Sequence, residues 1–423
     1  MADTASTGRP YVLISTDGHA GADLLGYKPY LESRWHDEFD AWAANFSDGW
    51  GEVDPDSEYK AGVSSFLSPI SWDGAWRQEL LATQGVAAEV LFPNTAQPFY
   101  PTGALTAAPP RTADEYERRW AGVRAHNRWL VDFCAEEPGR RIGLVQLFLN
   151  DVDAAVAEVR WAKDVGLKGV LLPPDHHLGI SNLYYANLEP LWATCAELDL
   201  PVHRHATTPN SDEGGPESAA AARVIGVHEC YYFGRRALFQ LLLSGVFERH
   251  PSMKFVLTEV GGSTWVTREL AALDRLVQGA QDDGTINAMF AQEAVSQLSK
   301  LPSEYYRDHC FVSSLLSAGE VRKRQEIGID NLLWGNDFPH HEGTAPYTFE
   351  TLRATFAGVA EQEVRQLTSL NAARVYDVDL DLLQTVADEI GPTPELIATP
   401  LRADEVPDDP NFRWLTTAVG TAR

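Results

Sequence analysis

Asn331-Leu332-Leu333-Trp334-Gly335-Asn336-Asp337-Phe338-Pro339-His340-His341-Glu342-Gly343 reads as a short apolar strand that ends on a carboxylate, a proline and two imidazoles. A matching pattern stands near the other end of the chain, where Val12-Leu13-Ile14-Ser15 runs into Asp17-Gly18-His19. Hard-donor side chains thus sit at two strand ends that are far apart in sequence. Working outward, short β-rich apolar runs recur at residues 12–15, 88–92, 142–147, 169–172, 201–205, 254–259, 310–313 and 331–335. They are continuous rather than alternating, the pattern of strands covered on both faces. Helical periodicity fills the intervals: 151–163 spaces its apolar residues for a helix, with Asp151 at the start and Lys163 near the end. Residues 188–198 and 232–249 read the same way. Strand and helix alternating eight times predict an α/β fold, a TIM-like (β/α)8 barrel, which gathers functional groups at the C-terminal ends of its strands.

The barrel is expected over 11–376, with a flexible N-terminus at 1–10 and an extension at 377–423 packing outside it. Two connections, about 21–81 and 93–111, exceed ordinary loop lengths and mark long insertions after strands 1 and 2. The first carries Trp35, Trp42, Phe46, Trp50, Phe66, Trp72 and Trp76. These aromatics either line an apolar pocket or anchor the insertion to the rim. The 60 acidic and 34 basic side chains give a net charge of −26, a field that repels nucleic acid and anionic membrane. No apolar run reaches the ~18 residues of a membrane span, and the N-terminus lacks a signal pattern. A cytoplasmic enzyme with a small-molecule partner, no nucleic acid and no membrane is expected. Cys134, Cys195, Cys230 and Cys310 stand singly, without metal or disulfide spacing, and read as buried thiols.

Asp17 and His19 are two apart on a strand, so their side chains share one face and can converge on one ion. His203 and His205 stand in the same relation. A barrel brings these ends together with Glu259, in Phe255-Val256-Leu257-Thr258-Glu259-Val260-Gly261-Gly262, and with Asp337. Imidazole plus carboxylate is a donor set for a divalent transition metal (zinc, iron or manganese). Singly these features are unremarkable: Asp-Gly is a common turn dipeptide, and Gly-Gly can simply relieve a tight turn. Their coincidence at one end of several strands points to a metal.

These residues resemble the amidohydrolase-related proteins, a family whose relatives include α-amino-β-carboxymuconate-ε-semialdehyde decarboxylase and the γ-resorcylate-type decarboxylases. The resemblance runs over about 12–376. It is carried by Asp17-Gly18-His19, Gly85-Val86-Ala87-Ala88-Glu89-Val90-Leu91-Phe92-Pro93-Asn94, Pro201-Val202-His203-Arg204-His205, Ser244-Gly245-Val246-Phe247-Glu248-Arg249-His250-Pro251, Thr258-Glu259-Val260-Gly261-Gly262 and Gly335-Asn336-Asp337-Phe338-Pro339-His340. It implies that Asp17, His19, His205 and Asp337 hold one divalent ion, with homodimers frequent among relatives. His205 fits the family's strand-five histidine better than His203, because the small Ala206 follows it. Two departures matter. Asp17 stands where the decarboxylases often have His, and Glu259 stands where several of them have a catalytic His. Glu259 is therefore a general base or a further metal ligand, and a second ion held by Glu259, Asp175 or His177 is an open alternative. The lysine that bridges two ions in binuclear relatives has no counterpart, since Lys168 stands at the start of strand four.

Beyond the ion, His228 is a candidate catalytic imidazole, and His203, Tyr232, Arg235 and His341 are candidate substrate contacts. Arg236 shares the possibility with Arg235, and His340, His341 and Glu342 are candidates to support Asp337. The carboxylate at 259 favours a metal-dependent hydrolase of an ester, thioester or amide, with Asp337 or Glu259 taking the proton and His228 stabilising the oxyanion. The alternative is non-oxidative decarboxylation of an aromatic or unsaturated acid. A non-catalytic binding barrel is the third reading.

Overall fold

All eight apolar runs form strands of one parallel sheet: β1 (Leu13–Ala20), β2 (Val86–Pro93), β3 (Arg141–Gln146), β4 (Gly169–Leu171), β5 (Val202–His205), β6 (Phe255–Thr258), β7 (Cys310–Ser314) and β8 (Leu332–Trp334). The computed structural model describes residues 8–49, 58–59, 63–64, 69–103, 107–174, 182–206, 219–282 and 285–417. Each strand pairs with the next in sequence. The chain just beyond β8 returns to β1, with Gly18 bridged to Phe338 and His19 N donating to Phe338 O at 2.8 Å. The result is a nearly closed (β/α)8 barrel.

β1 is longer than its apolar run because it continues through Asp17, Gly18 and His19, with a register shift against β2 between Ser15 and Gly18. Glycine is required there. A Cβ at position 18 would lie 2.8 Å from Glu89 Oε2, and Glu89 is committed to a buried bidentate pair with Arg77, at 2.8 and 2.6 Å.

Helices fill the intervals. α1 (Ala113–Ala135) follows the second long connection, and Thr112 caps it by accepting from Glu115 N. α2 (Val152–Asp164) is capped by Asp151, which accepts from Ala154 N at 3.0 Å, and carries Lys163 in its last turn. α3 (Glu189–Glu197) follows β4. The helix expected at 232–249 is two helices: α4 (Ala219–Leu243) starts earlier, and α5 (Val246–Arg249) begins after Gly245, whose φ of 70° breaks the run. Among the described residues no helix is long and apolar enough to cross a membrane.

Alternate residues of the strands, including Ile14, Val90, Leu144, Val256 and Leu333, pack into the barrel interior. Its foot is sealed by Val375 and Tyr376 and by Leu383 and Ala387 of the helix Leu380–Ile390. Part of the extension expected outside the barrel therefore belongs to its inner core. Aromatics tie the long first insertion to the second: Trp35 packs with Phe39 and with Phe99, and Trp42 Nε1 donates to Tyr100 O at 3.0 Å. Trp72 and Trp76 pack on the main core. Trp50 and Phe66 lie outside the described residues, as do Asp175 and His177.

Candidate metal centre and its cavity

The two-residue spacing on β1 places Asp17 and His19 on the same inner face, and both are buried. His19 Nε2 lies 3.3 Å from Asp17 Oδ1 and 3.2 Å from Asp337 Oδ1. From the end of β5, His205 Nε2 lies 3.5 Å from Asp17 Oδ1 and 3.4 Å from Glu259 Oε2. The other nitrogen of each ring faces a backbone carbonyl: His19 Nδ1 to Pro93 O at 3.4 Å, His205 Nδ1 to Ala206 O at 3.2 Å. With Nδ1–H donating to a carbonyl, each ring turns an Nε2 lone pair toward the cluster, as metal-binding imidazoles do.

Asp17 Oδ1, both oxygens of Asp337, His19 Nε2 and His205 Nε2 are buried without a hydrogen bond of good geometry. Five convergent electron-pair donors would be costly to leave unpaired out of water. One divalent cation satisfies them together, so the residues present fit the ion that their chemistry implies. His340 and Glu342 complete overlapping groups of donors with Asp337, and Glu259 joins the latter.

With no ion bound, the same carboxylates draw a proton to His19, which a bound cation would displace. Burial opposes charge on His19, but the Asp17 and then the Asp337 carboxylates raise its pKa to about 10. Asp337 stays below the usual carboxylate range despite burial, because the His340 and His19 rings flank it. Glu259 is pushed well above its ordinary value, by burial first and then by Asp337, Asp17 and Glu342. His340 is fixed from behind: its Nε2 lies 2.9 Å from Asn94 Oδ1, Asn94 Nδ2 donates to Ser71 Oγ at 2.8 Å, and its Nδ1 lies 2.9 Å from Asp337 Oδ1.

Above the donors opens a cavity of about 400 Å³. His19, His205, Glu259, His340 and Glu342 form its metal end, and Phe92, Leu147, Phe148 and Leu172 give it apolar walls. Tyr100 and Arg119, contributed by the second long connection and α1, line it as well.

Several expected residues lie elsewhere. His203, read as a substrate contact, is fully buried below the cluster, with Nδ1 3.2 Å from Val170 O and Nε2 3.0 Å from the Tyr376 hydroxyl. Burial lowers its pKa to about 3, so it supports the barrel core and does not face substrate. His228 and Tyr232 are exposed on α4, away from the cavity lining, so an oxyanion role for His228 has no structural support. Arg235 donates to Val260 O at 2.8 Å and stacks on Trp265, which ties it to the loop after β6. His341 lies beside the C-terminal helix, its carbonyl accepting from Asn411 Nδ2 at 2.8 Å, and does not line the cavity. None of the described tryptophans of the first insertion lines it either. Sequence reasoning missed Tyr100, Arg119 and Tyr231. The 93–111 connection was marked by its length, but Arg119 sits in a helix with Arg118, Arg124 and Arg128 and nothing in the pattern sets it apart.

Residues 72–378 match the family described as Amidohydrolase. The chain belongs to the amidohydrolase family. Among curated relatives of this amidohydrolase, the γ-resorcylate decarboxylase of Rhodococcus jostii (strain RHA1) is 25% identical over 300 residues, covering 65% of this chain and 82% of that protein. Two solved structures share the fold. An amidohydrolase from Mycobacterium avium subsp. paratuberculosis K-10 is 20% identical with a TM-score of 0.59, over 88% of this chain and 99% of that one. The 5-carboxyvanillate decarboxylase of Novosphingobium aromaticivorans DSM 12444, crystallised with manganese and 4-hydroxy-3-methoxy-5-nitrobenzoic acid, is 18% identical with a TM-score of 0.63, over 87% and 96%. Aromatic-acid decarboxylases thus recur among this amidohydrolase's relatives, which moves the weight from hydrolysis, favoured on sequence, to decarboxylation.

Proposed function

We propose that this amidohydrolase is a metal-dependent decarboxylase of a small aromatic carboxylic acid. The carrying observation is a cluster of unpaired donors from Asp17, His19, His205 and Asp337 at the floor of a largely apolar cavity of about 400 Å³, with the Glu259 carboxyl at its edge. That volume lies in the range of small-molecule sites and suits a single substituted ring. A divalent ion held by those four residues supplies positive charge for the substrate carboxylate and an adjacent ring oxygen.

The protein's own groups do the rest. Phe92, Phe148 and Leu172 hold the ring and exclude water. His340 holds the Asp337 carboxylate in place from the side of Asn94. Glu259, at the metal end of the cavity beside His205, delivers a proton to the ring carbon that bears the carboxylate. The carbon–carbon bond then breaks, its electron pair restores the aromatic ring, carbon dioxide leaves, and Glu259 is reprotonated from solvent. The strand-six carboxylate that suggested a hydrolytic base on sequence serves here as the acid. No feature specifically favours a thioester substrate.

The test is turnover by manganese-loaded protein of γ-resorcylate and 5-carboxyvanillate, the acids named for the relatives, in D2O. Carbon dioxide should appear with one deuterium at the vacated ring position, and Glu259→Gln should abolish both. Manganese-loaded protein that binds both acids and releases carbon dioxide from neither would overturn the proposal.

A further inference from the structure

The metal donors crowd one side of the barrel mouth. They stand at or just past the ends of β5, β6, β8 and β1, two strands on each side of β7. Strand β3 lies across the ring of eight from β7, so an aromatic acid held by its carboxylate at the ion turns its far edge toward the end of β3.

That strand ends on Gln146. Ile142 and Leu144 of β3 point into the barrel interior, so Gln146, two residues beyond Leu144, points the same way. It lines the cavity together with Phe92, Leu171 and Leu172. Its backbone is clamped on both polar groups by α1: Gln146 N donates to Asn127 Oδ1 at 3.0 Å, and Asn127 Nδ2 donates to Gln146 O at 3.1 Å and to Glu158 Oε1 at 2.9 Å. The side chain has no such commitment, for its Nε2 is buried without an acceptor among the described residues. The other two amides on the lining are engaged. Asn94 Oδ1 lies 2.9 Å from His340 Nε2 while its Nδ2 donates to Ser71 Oγ at 2.8 Å, and Gln97 Nε2 donates to Thr95 O at 3.2 Å.

An amide donor left unpaired beside apolar side chains is costly, and the clamp from Asn127 keeps the residue from turning away. A half-turn of the terminal torsion exchanges the amide nitrogen and oxygen, so the cavity can be offered either group. A ring hydroxyl matches both, accepting from the amide N–H and donating to the amide carbonyl, whereas a methyl ether can only accept.

We infer that Gln146 is a specificity-determining residue that hydrogen-bonds a ring hydroxyl on the edge remote from the carboxylate, so that the preferred substrates are aromatic acids hydroxylated there. This rests on the decarboxylase reading for which end of the ligand meets the ion. The recognition itself is a binding step and is independent of turnover.

The experiment measures binding to manganese-loaded protein by calorimetry, with salicylate as the parent acid and its hydroxylated derivatives o-pyrocatechuate, β-resorcylate and gentisate as probes. At least one derivative should bind about tenfold or more tightly than salicylate, because a site built to pair with a hydroxyl discriminates against the analogue that lacks it. The methyl ether of that derivative should lose most of the advantage. Gln146→Leu should erase the advantage and leave salicylate affinity unchanged, and if that variant does not fold, Gln146→Met carries the same test. The inference is overturned if no derivative outbinds salicylate, if the advantage survives the substitution, or if salicylate and the derivative lose affinity equally, which would mean a structural role. Carbon dioxide release is scored separately. A hydroxyl preference without it sinks the decarboxylase reading and leaves the subsite, and release without the preference does the reverse.

Discussion

Replacing Glu320 with glutamine tests how the loop that presents Glu259 is held. Glu320 is buried, and its two oxygens accept five hydrogen bonds. Oε1 takes Ser263 N at 2.7 Å, with Ser263 Oγ and Ser314 Oγ both at 2.8 Å. Oε2 takes Ser317 N and Ser317 Oγ, each at 2.8 Å. One side chain thus ties the segment after β6 to the end of β7 and to the helix that follows it. An amide keeps one acceptor oxygen and puts an NH2 where the other stood. A hydroxyl can rotate to accept from that NH2, but a backbone N–H cannot, so Ser263 N or Ser317 N must face a donor. A buried donor left unpaired costs about 1–3 kcal/mol, and the lost bond adds about 1 more, for a total of about 2–4 kcal/mol. At about 2.1 cal/mol/K of unfolding entropy per residue, a chain of this length loses roughly 1 °C of Tm per kcal/mol. Scanning calorimetry should therefore place the Glu320→Gln melt about 2–4 °C below wild type, with turnover reduced because Glu259 is displaced. Ser314→Ala, which removes one rotatable hydroxyl, should cost under about 1 kcal/mol. A Glu320→Gln protein that melts with wild type and turns over normally would refute the argument.

Asp337→Asn should abolish turnover with little loss of fold, and should also remove the stabilisation by manganese, which at 100 times its Kd amounts to about 2.7 kcal/mol in wild type; a melt that still rises with manganese would contradict the assigned ligand role. His126 is buried against the Tyr27 hydroxyl, 2.9 Å away, and burial pushes its pKa down to about 3. Because the unfolded chain, with a pKa near 6.5, takes the proton first, this residue should have no effect on stability above about pH 6.5 and should cost about 1.4 kcal/mol for each unit below it, or about 2 kcal/mol at pH 5. His126→Gln should flatten the acid limb of the stability curve by that amount, and an unchanged limb would reject the assignment. Arg77→Met leaves the Glu89 carboxylate buried without its bidentate partner, and should destabilise by about 3–5 kcal/mol. If Arg77→Met with Glu89→Leu is not more stable than Arg77→Met alone, the cost has another source.

The fold was legible because each barrel strand is covered on both faces and so reads as an unbroken apolar run. All eight runs became strands, with ends shifted by only a few residues except at β1. The donors were legible for the same geometric reason: Asp17 with His19, His205, Glu259 and Asp337 lie at or just past strand ends that a barrel must bring together. The residues around them were harder. His203 shares the face of His205 but lies two residues deeper, so the spacing that recommended it also buried it beneath the site. His228, Tyr232 and Arg235 stand near β5 in the chain, but a helix displays its residues all round, so nearness in sequence brings none of the three to the cavity lining. Arg119 was invisible because a cavity-facing arginine in a helix has the same local pattern as its solvent-facing neighbours. The hydrolytic preference rested on the chemical identity of Glu259 alone, and one carboxyl group can act as base or acid according to surroundings that only the fold supplies.

Those surroundings explain an oddity of the backbone. Glu259 and Asp337 both adopt the left-handed region, with φ of 55° and 53°, a conformation that costs a non-glycine residue on the order of 1–3 kcal/mol. Two such residues at the ends of β6 and β8 are unexpected unless the neighbouring structure holds them there. It does so on both sides. The segment after β6 is tied down by Ser263, whose N and Oγ both donate to Glu320 Oε1. The segment after β8 is fixed by Asn336 N donating to Ser15 Oγ at 3.0 Å, by Thr344 N donating to Asn336 O at 2.9 Å, and by the Phe338 carbonyl on β1. Gly335 lets this segment pass close to β1, since a Cβ there would come within 2.5 Å of the Asp17 Cβ. The ties after β8 are made by backbone and the short Ser15 side chain, and the longer Glu320 side chain is fixed by the five hydrogen bonds to its carboxylate. The left-handed turn then swings each carboxylate from the strand direction back over the barrel mouth, where His19 and His205 already point. The strain is therefore located where geometry matters most, and it follows that loosening the Ser15 tie should weaken metal affinity before it lowers the melting temperature appreciably. Manganese titration of Ser15→Ala against its melt would decide this: equal loss in both would mean that Ser15 stabilises the barrel generally and has no special part in aiming Asp337.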